Sequence, residues 1–170
     1  MDKNRQGWES LTIKYKDLIL KIEEQFKIDF YGLHGIEHWK RVYENTQKLA
    51  SYYKIQSEVF GLFSLLHDSK RVNEDIDKFH GKRDSLFVEE LIKSKEIILD
   101  DEDTKRLIYA CKNHTHSDKK DPLYKDFVVQ ICFDSDRLDI DRVCLEIDPK
   151  YLATDYAKKL ANKKRNCVDL

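Results

Sequence analysis

Apolar residues recur at spacings of three and four along most of this chain, the mark of helices that bury one face. From Trp8 to about Ile28, the residues Leu11, Tyr15, Leu18, Ile22 and Phe26 share such a face. A short turn at Asp29–Gly32 precedes a second helix over about His34–Tyr53. The stretch Val59–Leu66 is apolar on nearly all sides. Its helical flanks and its lack of β-branched residues after Val59 predict a buried helix instead of a strand. Arg71–Lys82 is polar, with a glycine near its end, and reads as a loop. Helices follow over Asp84 to about Ile98 and over Thr104–Asn113, the latter started by an acidic turn at Asp100–Asp103 that complements its dipole. Pro122 and Pro149 suit the first turns of two more helices, to about Asp139 and over about Lys150–Lys163. The pattern predicts an all-α bundle.

Composition sharpens that picture. Five glycines and two prolines are too few turn residues for a many-stranded sandwich or barrel. At 170 residues and 41% hydrophobic content, the chain has one domain's worth of core and is too apolar to be disordered. No apolar run approaches the roughly 20 residues that cross a bilayer, so no membrane partner is expected. A net charge of −1 argues against a dedicated binder of long nucleic acid. Cys111, Cys132, Cys144 and Cys167 are scattered, without CxxC spacing, and read as free thiols. The polar amino terminus lacks a signal-peptide core, and the expected location is the cytoplasm.

The candidate chemistry lies in the histidines. All six fall in short polar clusters: His34 with His38, His67 beside Asp68, His80, and His114 with His116. A further stretch, DSDRLDID, carries Asp134, Asp136, Asp139 and Asp141. Imidazole and carboxylate are the ligands of borderline and hard divalent metals, and a bundle can gather them from several helices around one point. On the second helix, His34, His38, Arg41 and Asn45 form a stripe between the apolar and the charged faces, as on a helix lining a cleft. The blander reading is a pair of half-exposed histidines with incidental spacing. His67-Asp68 follows the most apolar segment, where an unpartnered carboxylate would be costly. His114 shares the inward line of Leu107 and Cys111, and Asp136 that of Val129 and Cys132. Asp134 competes on the Phe127–Ile131 line. Asp139 and Asp141 read as helix-end or surface residues, and Lys82 and Arg83 as surface charge.

The ordered motifs H-W-K-R-V at 38–42, L-L-H-D at 65–68 and D-S-D-R-L-D at 134–139 resemble those of the HD-domain superfamily of metal-dependent phosphohydrolases. The resemblance spans about residues 30–145. It implies a helical bundle with a central metal site in which His38, His67, Asp68 and Asp136 match the basic ligand set. His80 and His114 match the additional histidines of two-metal members, with Asp68 bridging. Many members place a lysine where this chain has Arg71, which can grip a phosphate oxygen bidentately.

The implied cofactor is one or two divalent ions, with Mn, Fe, Co, Ni, Mg and Zn all open. The implied reaction is hydrolysis of a small, nucleotide-like phosphate ester, with hydroxide generated on the metal as nucleophile. Asp68, Arg71 and His34 are the candidate catalytic residues. Arg71, Arg41 and His34 are those expected to hold substrate. The alternatives are a di-iron oxygenase or a catalytically inert metal- or nucleotide-binding module.

Overall fold

The computed structural model describes residues 3–116 and 119–168. Among them there is no β-strand, and eight α-helices surround one contiguous apolar core. These are α1 (Lys3–Lys14), α2 (Lys16–Gln25), α3 (Ile36–Tyr53), α4 (Val59–Leu66), α5 (His80–Lys93), α6 (Asp101–Asn113), α7 (Phe127–Arg137) and α8 (Asp155–Val168). No helix among the described residues is long and apolar enough to cross a membrane.

The most apolar segment forms the centre. Every residue of α4 is buried, and α3, α6 and α7 pack around it. Burying a Leu or Phe side chain is worth roughly 1.5–3 kcal/mol, so this helix anchors the elements that enclose it. Its last turn delivers His67 and Asp68 directly from the core. Two caps fix the neighbouring helices. The Asp100 side chain accepts from the Asp103 amide at the start of α6, and Asp126 accepts from the Val128 and Val129 amides at the start of α7. Arg106 of α6 also pairs with Asp126, tying the two helices together.

Several boundaries differ from those the periodicity predicts. The first helix breaks at Tyr15, whose hydroxyl reaches Glu58. The expected loop 71–82 ends earlier, because α5 begins at His80. That helix stops at Lys93, just before Lys95 takes a left-handed conformation. The helix expected from Pro122 is a 3-10 turn, Pro122–Lys125, followed by the Asp126 cap, whose side chain claims the amides of a new helix. Pro149 likewise opens only a 3-10 turn, Pro149–Tyr151. Cys111 and Cys132 are buried free thiols and Cys144 is an exposed one; the Cys167 side chain lies outside those described.

Candidate metal centre

Four imidazoles converge at the inner end of α4. His38 comes from α3, His67 from the end of α4, His80 from the first turn of α5 and His114 from the end of α6. Two glycines permit the approach. A Cβ on Gly81 would stand 2.6 Å from the Lys112 carbonyl oxygen, so only glycine lets the start of α5 close on the end of α6. A Cβ on Gly35 would lie 1.9 Å from the Phe30 carbonyl oxygen, at the tight turn that leads His34 into α3.

The ring orientations are set by their outer nitrogens. Nδ1 of His67 donates to the Phe63 carbonyl at 3.0 Å, and Nδ1 of His114 to that of Cys111 at 2.9 Å. Nδ1 of His80 donates to the Asp77 carbonyl, and Nδ1 of His38 to Asp139 Oδ2 at 2.7 Å. A neutral imidazole with its proton on Nδ1 carries its lone pair on Nε2. The four Nε2 atoms then face one another in pairs, His38 to His67 at 3.0 Å and His80 to His114 at 2.8 Å.

Asp68 stands between the pairs. Its Oδ2 lies 3.6 Å from His38 Nε2 and 3.9 Å from His67 Nε2; its Oδ1 lies 3.3 Å from His80 Nε2 and 3.7 Å from His114 Nε2. Asp136 Oδ1 joins the first pair, 3.4 Å from His38 Nε2 and 3.8 Å from His67 Nε2. Ligand atoms about 2.0–2.2 Å from a shared cation stand about 2.8–3.6 Å apart as octahedral or tetrahedral neighbours. Facing lone pairs at such spacings, beside carboxylates, fit a divalent cation. In two groups one ligand atom from each residue lies within 4.8 Å of the others: His38, His67 and Asp68, and Asp68, His80 and His114.

The electrostatics of His67, His80, Asp68 and Asp136 agree with that donor set, and His38 is drawn toward its charged form by two carboxylates. Burial holds His67 down at about 3 and His80 at about 4, leaving both neutral near pH 7. Burial works against ionised Asp68 and Asp136, yet the surrounding imidazoles and the arginines outweigh it and keep both carboxyls well below the usual range. For His38, burial opposes the charged form, and Asp136 and Asp139 overcome it, so its pKa is raised.

The remaining expected site residues are placed as follows. His34 is buried at the rim, with Nδ1 3.0 Å from Asp68 Oδ2. Arg71 donates Nη1 to Asp68 at 3.4 Å and Nη2 to the Asp75 carbonyl at 2.6 Å, and both residues line a cavity of about 1150 Å³. Arg41 does not line that cavity; its Nε donates to Asp139 at 2.7 Å. Asn45 reaches the Ser135 carbonyl on α7 and, like Arg41, does not line that cavity. Asp134 is likewise occupied, accepting from Ala153 and Thr154, while Asp136 faces the imidazoles.

Three residues have roles that the periodicity did not signal. Asp139, read as a helix-end or surface group, is buried beneath His38. Arg142, in the 3-10 turn Ile140–Val143, directs its guanidinium at His34 (3.2 Å), Asp68 (4.0 Å) and Asp136 (3.9 Å). Asp84 is fully buried on α5 and accepts from the Lys70 amide at 2.7 Å and the Ser69 hydroxyl at 3.3 Å. Burial, reinforced by the charge of Asp68, raises its pKa well above the usual range, so it is held as the neutral acid.

Helices converging on clustered histidines and aspartates at the inner end of a buried helix define an HD-type bundle. No model of a known family matches the chain, and no curated protein matches it. Its fold is similar to the crystal structure of a predicted HD superfamily hydrolase from an uncultured Thermotogales bacterium. The TM-score is 0.66 at 24% identity, over 91% of this chain and 87% of that one. The chain thus has the HD-domain fold that its motifs resemble.

Proposed function

We propose that this chain is a metal-dependent hydrolase of small phosphate esters, nucleotide-like in size. The observation that carries the reading is the facing of four Nε2 atoms around Asp68 at the floor of the cavity. His38, His67, Asp68 and Asp136 would hold one divalent ion; Asp68, His80 and His114 would hold a second. Bound there, such ions supply Lewis acidity and lower the pKa of a coordinated water toward neutrality. Arg71 and Arg142 flank Asp68 and reach the cavity, where they would take phosphoryl oxygens. His34, bonded to Asp68, holds that carboxylate in orientation.

The test is phosphate release from a panel of phosphomonoesters and nucleotides by protein loaded with Mn²⁺, Co²⁺, Ni²⁺, Mg²⁺, Fe²⁺ or Zn²⁺. Turnover is expected with at least one ion, and Asp68→Ala should lose metal and activity together. Stoichiometric metal without turnover of any ester would contradict the reading, and a coloured, iron-loaded, oxygen-consuming protein would replace it.

A further inference from the structure

The lining of the cavity beside the imidazoles is made of two unlike groups of residues. Its floor carries Asp68, Asp136, His80, His114, Arg71 and Arg142. A wall contributed by residues 140–152, which also supplies Arg142, Glu146 and Asp148, carries Ile140, Val143, Leu145, Ile147, Tyr151 and Leu152, and Ile76 lines the cavity as well. Three of these are exposed: Ile76 at 84%, Tyr151 at 62% and Leu145 at 56%. Single exposed apolar residues need no explanation, but several around one cavity mark a binding surface.

Glu146 and Asp148 of the same stretch also line the cavity, but part of its main chain is already engaged. Four of its main-chain amides are spent inside its own turns, Arg142 on Asp139, Cys144 on Asp141, Tyr151 on Asp148 and Leu152 on Pro149. The Arg137 guanidinium is bonded to the Tyr151 and His114 carbonyls. A hydroxyl pressed against the aliphatic side chains of this surface would lose water without gaining a partner. A cavity of about 1150 Å³ is at the upper end of the range for small-molecule sites, far larger than a phosphate group needs.

We infer that the ester taken here is the phosphate of an apolar alcohol, its hydrocarbon body lying along Ile140, Val143, Leu145 and Ile147. The inference rests on the phosphohydrolase reading only for the head group, and it narrows the nucleotide-sized esters to those that present an apolar face to the wall. The reaction needs no added reagent. Hydrolysis breaks the ester P–O bond, joins a water oxygen to phosphorus and passes that water's proton to the departing alcohol.

Straight-chain alkylphosphonates, which cannot be hydrolysed, separate binding from turnover. Titrated calorimetrically into Mn²⁺-loaded protein, propyl-, pentyl- and heptylphosphonate should bind with Kd falling about three- to fourfold per methylene. The heat-capacity change should be increasingly negative. Leu145→Asn and Ile76→Asn, at exposed positions, should flatten that dependence. A Kd independent of chain length, the same slope in the variants, or no binding at all would overturn the inference.

The matching n-alkyl phosphates, whose alcohols leave with nearly equal ease, report on the hydrolase reading separately. Chain-length-dependent phosphonate binding with no ester hydrolysed would sustain the apolar wall and remove the hydrolase. Hydrolysis with a flat binding series would do the reverse.

Discussion

His80 and His114 face one another through Nε2 atoms 2.8 Å apart, each with Nδ1 turned to a main-chain carbonyl. With Asp68 Oδ1 at 3.3 and 3.7 Å, they form a half-site distinct from that of His38 and His67. Replacing His114 with Ala should therefore remove one of two metal equivalents and leave the other. Elemental analysis checks this, and loss of both ions or of neither would contradict the division.

Asp139 supports His38 through Nδ1 and is itself held by Arg41. A carboxylate behind a ligating imidazole orients the ring and raises its basicity, and losing one typically costs 10–100-fold in metal affinity. Asp139→Ala is expected to weaken metal binding by about that factor, with partial recovery in Asp139→Asn. Arg41→Ala, which removes a half-exposed partner, should change it less than about fivefold. Competition against a chelating dye measures each.

Arg142 lines the cavity 4.0 Å from Asp68 and 3.9 Å from Asp136. A charged hydrogen bond to substrate is worth about 1.5–3 kcal/mol, so Arg142→Ala should lower kcat/KM roughly tenfold to a hundredfold with metal content unchanged. Lysine lacks the planar fork, and Arg142→Lys should not restore activity. Full activity in Arg142→Ala would exclude the residue from substrate binding.

Asp84 keeps its proton in the folded state, because burial and the charge of Asp68 raise its pKa. The unfolded chain releases that proton near the ordinary carboxylate value, about 3.9. Stability from Asp84 is therefore complete below that pH and is lost as pH rises through the folded pKa. Asp84→Asn cannot ionise. In metal-free protein its Tm should gain on wild type as pH rises above about 4, and a constant difference would contradict a raised Asp84 pKa.

The sequence was informative wherever a helix carried the message. The all-apolar Val59–Leu66 segment announced the central helix, and the lines from Leu107 and Val129 pointed His114 and Asp136 inward, as they are found. Legibility ended where helical spacing ended. Asp139 and Arg142 lie beyond the last turn of α7, where three-and-four periodicity no longer reports direction. His80 resembled a loop residue because its helix starts on it, and the closeness of α5 to α6 depends on Gly81 meeting carbonyls thirty residues away. Spacing favours Asp136 by its line from Val129 and Cys132, with Asp134 as competitor on the Phe127–Ile131 line. The Ala153 and Thr154 amides that occupy Asp134 come from a distant turn, which local pattern could not reveal.

Metal content per chain, measured on wild type and Asp68→Ala after loading with Mn²⁺ and desalting, bears most directly on the shared carboxylate. Two equivalents in wild type, falling to none in the folded variant, are predicted. A folded Asp68→Ala protein that keeps the wild-type content would contradict the account.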